Sequence, residues 1–236
     1  MKLTVVLPLY NEEALLPTLP GTLDRVRAAL APHEVRLLAV DDGSRDGTAA
    51  GIASIPGLEV ATHPVNRGPG AAMQTGIEQA TGDAVLVYDA DEAYRPDALH
   101  KLVDALADAD LATLSPYHPD GGVEGVGAFR LLLSQSASRL YRRRLRSRLH
   151  TFTCAVRAYR LPWARTLLPA PDDFTAAAFL MARALQRGGR VVEVPSTLHV
   201  RAAGGSKMRI LRTIRAHLRL LRDLRVTPAP EDPAAS

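Results

Sequence analysis

The feature that most constrains the fold is a repeated unit: a short apolar run stops at an acidic or proline-containing loop, and a helix-forming stretch follows. Residues 3–9 lead into Tyr10-Asn11-Glu12-Glu13, and residues 35–40 into Asp41-Asp42-Gly43-Ser44-Arg45-Asp46-Gly47-Thr48. The weaker run Leu58-Glu59-Val60-Ala61 precedes Asn66-Arg67-Gly68-Pro69-Gly70, and Val85-Leu86-Val87-Tyr88 delivers Asp89-Ala90-Asp91. Four such strands alternating with helices predict an α/β fold, with a mostly parallel sheet flanked by helices and right-handed crossovers. At 236 residues and 47% hydrophobic content the chain can bury one core of that kind.

Asp89 and Asp91 are the most chemically suggestive residues. Alternate side chains of a strand share a face, so the pair is expected to point together from the C-terminal edge of the sheet, where open α/β sheets bind ligands. Two carboxylates beside a substrate phosphate suit Mg²⁺ or Mn²⁺, which favour hard oxygen ligands. An isolated Asp-x-Asp more often caps the next helix, so its surroundings decide the reading.

Those surroundings resemble glycosyltransferase family 2, over about residues 3–210. The pieces are Pro8-Leu9-Tyr10-Asn11-Glu12, the segment from Asp41 to Thr48, Asn66-Arg67-Gly68, Gly76 with Ala80-Thr81-Gly82-Asp83, and Asp89-Ala90-Asp91. The second half is similar to the dolichol-phosphate and polyprenyl-phosphate mannose synthase branch in Gly121-Gly122-Val123-Glu124-Gly125, Arg157-Ala158-Tyr159-Arg160, the residues from Arg183 to Gly188, Val192-Glu193-Val194-Pro195 and the residues from Arg201 to Met208. The resemblance implies a nucleotide-sugar-binding GT-A fold. It implies metal-dependent, inverting transfer from GDP-mannose or a UDP-sugar to a polyprenyl or dolichyl phosphate.

By the same resemblance, Asp41 or Asp42 holds the donor together with Pro8, Tyr10, Glu12, Arg67, Gly68, Asp89 and Ala90, while Asp89 and Asp91 hold the cation. Asp91, Arg201, Lys207 and Arg130 are the implied catalytic residues, with Arg201, Ser206 and Lys207 on a diphosphate-binding loop and Arg130 and Ser134 at the acceptor phosphate. A phosphate acceptor needs no general base, whereas a hydroxyl acceptor would, and Asp172 or Asp173 is then the candidate. This chain departs from the branch at four places: Ala93 replaces a Gln ligand, Ser115-Pro116 a Ser-Arg pair, Ala177-Ala178-Phe179 a Gln-x-Glu element and Cys154-Ala155-Val156 a Ser-Gly-Phe piece. A soluble relative with a hydroxyl acceptor and a non-catalytic nucleotide-sugar-binding protein are the alternatives.

Charge is strongly polarised. Residues 1–129 carry 8 Lys and Arg against 19 Asp and Glu, a net of −11, whereas residues 130–225 carry 21 against 4, a net of +17. Ile210, Leu211, Ile214, Leu218 and Leu221 recur at helical spacing beside Arg212, Arg215, Arg219 and Arg222. The expected organisation is a catalytic domain over 1–206, a basic amphipathic helix over 207–225 and a disordered tail over 226–236. Such a helix packs on its own domain or lies on an anionic membrane surface. Nucleic acid is disfavoured as a partner because no recognition fold or aromatic stacking motif accompanies the arginines. The single cysteine, Cys154, forms no intrachain disulfide and reads as a small buried hydrophobe. With no run of 18 apolar residues, the expected location is cytoplasmic, with the basic helix at the inner face of the cell membrane. Oligomeric state is not specified.

Overall fold

A computed structural model describes residues 1–200 and 210–224. Its elements are β1 (Lys2–Leu9), α1 (Leu19–Ala29), β2 (Glu34–Asp41), α2 (Thr48–Ala53), β3 (Leu58–Thr62), α3 (Pro69–Gln79), β4 (Ala84–Val87), α4 (Leu99–Ala105) and β5 (Leu111–Ser115). There follow β6 (Gly122–Val123), α5 (Ala128–Arg144), β7 (Arg157–Arg160), α6 (Leu161–Thr166), α7 (Ala176–Gln186), β8 (Val191–Pro195), β9 (Thr197–Leu198) and α8 (Ile210–Asp223).

The seven-stranded sheet has the order β3-β2-β1-β4-β7-β5-β8. All neighbouring pairs are parallel except those of β7, which runs antiparallel to both β4 and β5. A two-stranded parallel sheet, β6 with β9, lies apart from it. The predicted α/β architecture is therefore present, with three further strands that the apolar pattern alone did not supply.

Alternation along the central strands builds a core on each face. Leu3, Val5, Leu7 and Leu9 of β1 join Leu37 and Ala39 of β2 and Leu86 of β4 against α1 and α4, while Val6, Leu38, Val40, Val85 and Val87 pack under α3, α6 and α7. On α1 the buried positions Leu19, Leu23, Val26 and Leu30 fall at helical spacing and are at most 2% exposed. Each such leucine contributes about 1.5–3 kcal/mol through burial. On α3, Gly76 lets the helix approach β1, because a Cβ there would run into the Val6 side chain. Leu23→Ala would open a cavity at a completely buried position and cost about 2–5 kcal/mol.

One expectation is corrected. β4 ends at Val87, so Asp89 and Asp91 lie on the following turn, and the shared face of a strand is not what brings them together. The C-terminal helix is described from Ile210, and it packs against α5. Residues 207–209 of the predicted helix and the predicted tail at 226–236 lie outside the described residues. Among the described residues no helix is long and apolar enough to cross a membrane.

Candidate active site

The loops after β1, β2 and β4 leave the same edge of the sheet and enclose a cavity of about 520 Å³ together with α5, α7 and α8. Of the residues singled out in the sequence, Pro8, Tyr10, Glu12, Asp42, Asp89, Asp91, Arg130, Ser134 and Asp173 line it. Asp41, Arg67, Gly68, Ala90 and Asp172 do not. Arg201, Ser206 and Lys207 lie outside the described residues.

The two acids ending β2 are differently employed. Both are buried. Asp41 accepts the Ser44 backbone N–H at 3.3 and 3.4 Å, which tightens the turn after the strand. Asp42 is the hub of a network. Its Oδ1 accepts from His63 Nδ1 at 2.7 Å and Arg67 N at 3.0 Å, and its Oδ2 from Asn66 Nδ2 at 2.8 Å and Gly68 N at 2.7 Å. Gly68 has φ +119°, and a Cβ there would collide with the Asp172 carbonyl oxygen, so glycine is required at this bend.

Asp89 and Asp91 sit on a turn held from several sides. Ala93 N–H donates to Asp91 Oδ1 at 3.0 Å, and the Ala93 carbonyl accepts from His199 N at 2.8 Å. Between them Glu92 adopts a left-handed φ of 54°, which costs a non-glycine residue on the order of 1 kcal/mol. Its carboxylate is bound by Thr22 and Arg25 of α1, which offsets that cost. Ala93, which stands where the resembled branch has a Gln ligand, contributes a backbone donor that orients Asp91. Among the described residues no three His, Cys, Asp or Glu side chains gather as a metal cluster. Two carboxylates facing one cavity nevertheless fit Mg²⁺ or Mn²⁺, since such ions retain waters and complete their shell with phosphate oxygens. That donor set, lacking thiol and imidazole, suits a hard cation.

The far wall of the cavity is built on α5. Ser134 Oγ bonds Thr153 Oγ1 at 2.8 Å, and Arg130 stands one helical turn earlier on a solvent-exposed position. Burial raises the Tyr117 phenol pKa, with the Ser134 hydrogen bond and the Arg130 charge acting in the opposite direction. The same cavity is also lined by Leu131, Ala137 and Leu140 of α5 and by Ile210, Ile214 and Leu218 of α8, with Thr213 and His217 among them. Outside it, Phe129, Leu132 and Leu211 are exposed, Leu211 to 72%. Arg144 ties α8 down through the Leu221 and Leu224 carbonyls.

Sequence reasoning missed Tyr141 and His217, which join α5 to α8 by an OH···Nδ1 contact of 2.8 Å; His217 lines the cavity, with Tyr141 buried behind it. A polar His within an otherwise apolar stripe was the available signal. Burial lowers the His217 pKa, partly opposed by Asp173. Also missed was Glu193, a buried carboxylate that accepts from His150 N and Nδ1, Thr151 N and Ser115 Oγ at 2.8–2.9 Å and so fixes the segment bearing Thr151 and Thr153.

Both base candidates have structural partners. Asp173 accepts Thr175 N and Oγ1 at 2.8 and 2.6 Å at the start of α7, and Asp172 pairs with Arg67 at 3.5 Å. Cys154 is buried, and burial pushes its thiol up to about 11, in keeping with a packing role.

A mostly parallel seven-stranded sheet with paired acids on the turn beyond β4, facing one cavity, is the arrangement of a GT-A fold. The family model for Glycosyl transferase family 2 matches residues 4–168, and the chain belongs to that family. It is a glycosyltransferase. The polyprenol monophosphomannose synthase of Mycolicibacterium smegmatis is 37% identical over 216 residues, covering 86% of this chain and 80% of that protein. The undecaprenyl-phosphate mannosyltransferase of Micrococcus luteus is 32% identical, covering 88% of each. In fold, the chain superimposes with a TM-score of 0.71 on glucosyl-3-phosphoglycerate synthase from Mycobacterium tuberculosis in complex with Mn²⁺, UDP and glucosyl-3-phosphoglycerate, at 22% identity, covering 95% of this chain and 81% of that one.

Proposed function

We propose that this enzyme transfers a sugar, with inversion, from a nucleoside-diphosphate sugar to the phosphate of a polyprenyl lipid. The observation that carries the reading is the composition of one cavity: acids at the sheet edge, Arg130 and Ser134 of α5, and apolar side chains of α5 and α8. Such a lining matches a substrate with an anionic head and a hydrocarbon tail. The two mannosyl-transferring relatives, whose names specify polyprenyl-type acceptors, support the same choice.

In this mechanism Asp89 and Asp91 are the residues that would hold a divalent cation. When bound, the cation supplies charge stabilisation for the leaving diphosphate. Arg130 and Ser134 orient the acceptor phosphate by charge-assisted hydrogen bonds. A phosphate oxygen attacks the anomeric carbon, the bond to the diphosphate oxygen breaks, and the nucleoside diphosphate departs with the electron pair. Arg201 and Lys207 are assigned to that leaving group by family resemblance. No proton has to be removed from an acceptor already anionic at neutral pH. This fits the commitment of Asp172 and Asp173 to Arg67 and Thr175, and it disfavours a hydroxyl acceptor.

The outer faces of α5 and α8 are assigned to an anionic membrane surface. They combine exposed Phe129, Leu132 and Leu211 with the exposed Arg139, Arg142 and Arg143 of α5 and Arg212, Arg215, Arg219 and Arg222 of α8, and basic residues near anionic lipid each contribute on the order of 1 kcal/mol. The test is incubation of the protein and Mn²⁺ with radiolabelled GDP-mannose or UDP-glucose and a short polyprenyl phosphate. Label partitioning into organic solvent is expected. Label transferred only to hydroxyl acceptors would replace this reading with the soluble alternative.

A further inference from the structure

We propose that His63 is a positioning residue for the donor site, acting through Asp42 on the loop of residues 66–68; this rests on assigning that loop to donor binding. His63 is buried, does not line the cavity, and has no part in the transfer step described above. Three of the four donors on Asp42 come from the loop: Asn66 Nδ2, Arg67 N and Gly68 N. The fourth is His63 Nδ1 at 2.7 Å, and the opposite ring nitrogen contacts Thr75 Oγ1 of α3 at 2.8 Å. The His63 backbone N–H is itself fixed to the Asp41 carbonyl at 2.9 Å.

The chain of contacts therefore runs from α3 through the imidazole to the carboxylate and on to the loop. Rotation of the Asp42 carboxylate about its own axis is what would displace Arg67 and Gly68. Facing an acceptor-only carboxylate, Nδ1 carries the proton. Because Arg67 N shares Oδ1 with the imidazole, losing the Nδ1 donor frees the oxygen that sets the loop's position. Asn66 and Asp42 line the cavity, so a shift there is felt by the donor.

Two amide replacements separate positioning from packing. An Asn nitrogen reaches roughly the place of Nδ1 and a Gln nitrogen roughly that of Nε2, so His63→Asn keeps the Asp42 contact and His63→Gln keeps only the Thr75 contact. Binding of GDP and of UDP with Mn²⁺ would be measured by titration calorimetry on the full chain, beside thermal melting. The expected result is binding by His63→Asn within about threefold of wild type and about tenfold weaker binding by His63→Gln, the loss of one charge-assisted hydrogen bond. The change should appear in the donor Michaelis constant, with turnover at saturating donor retained. Equal binding by wild type and His63→Gln overturns the proposal, as does an equal loss in both variants that tracks their melting temperatures. Should either variant fail to fold, His63→Leu, which removes the Nδ1 donor to Asp42 while filling similar space, decides: donor affinity falls about tenfold if the proposal holds, and unchanged affinity overturns it. Wild-type protein that binds neither nucleotide would instead remove the donor-site reading itself.

Discussion

Asp42→Asn is the substitution whose cost can be worked most directly from geometry. The carboxylate accepts four N–H donors, two on each oxygen. An amide offers one oxygen. If that oxygen takes the Oδ1 place, the new NH₂ faces the Asn66 amide and the Gly68 N–H, and both bonds are lost. If it takes the Oδ2 place, His63 can switch tautomer and accept from the amide, since Thr75 Oγ1 can accept from Nε2. Only the Arg67 N–H then loses its partner, and the side chain should settle in that orientation. One lost charge-assisted hydrogen bond costs about 1.5–3 kcal/mol, and with weakening of the other three the total is about 2–4 kcal/mol. For a chain of this length that lowers the melting temperature by about 4–16 °C. Asp41→Asn should cost less, because its side chain accepts only the longer Ser44 contacts of 3.3 and 3.4 Å. Thermal and urea unfolding followed by circular dichroism would measure both. An Asp42→Asn loss under about 1 kcal/mol, or a larger loss for Asp41→Asn, would refute the hub role.

Further outcomes follow from the turn and the helices. Arg25→Met should cost at most about 1 kcal/mol of stability because the pair with Glu92 is partly exposed, yet weaken Mn²⁺ binding in the presence of nucleoside diphosphate by about fivefold if about 1 kcal/mol of preorganisation is lost; unchanged affinity in a Mn²⁺ spin-resonance titration would discard the turn as a positioning device. Leu132→Glu with Leu211→Glu should reduce sedimentation with anionic vesicles, and added salt should reduce it in the parent protein; binding indifferent to both changes would detach α5 and α8 from the membrane role. For His217 the folded pKa is depressed by burial, so its neutral form contributes stability that is complete above the ordinary value of about 6.5 and is lost as pH falls through the lower folded value. Wild-type melting temperature should accordingly drop more than that of His217→Asn between about pH 7.5 and 5, and parallel curves would contradict this.

The central sheet was legible because β1, β2 and β4 carry predominantly apolar runs whose central residues are buried on both faces. β7 was not, because it begins with an arginine. Arg157 is completely buried, yet its guanidinium is satisfied by the nearby Phe152 carbonyl and by Thr113 Oγ1 and the Ala177 carbonyl, which come from distant parts of the chain. Local hydrophobicity carries no record of such partners. The acids at 89 and 91 were found, although for the wrong local reason: a left-handed Glu92 anchored on α1 shapes their turn, and that anchor is 67 residues away in Arg25. The sequence likewise showed two acids after β2 without showing that one is saturated by its own fold. On α8 the apolar stripe was correctly periodic, but its division between cavity wall and exposed face depends on where α5 lies.

The most direct test of the account is product formation by wild-type protein and Asp91→Asn, with Mn²⁺, a nucleotide sugar and a short polyprenyl phosphate, scored as label extracted with the lipid. Asp91 lines the cavity and its carboxylate is oriented by the Ala93 N–H, and the Asn variant creates no cavity, so its melting temperature should stay near that of wild type. The account predicts lipid-linked sugar from the wild type and loss of about two orders of magnitude or more in the variant, the scale seen when a charge-stabilising group is removed from an active site. Equal metal-dependent product from both proteins, or no lipid-linked product from the wild type with any donor, would contradict it.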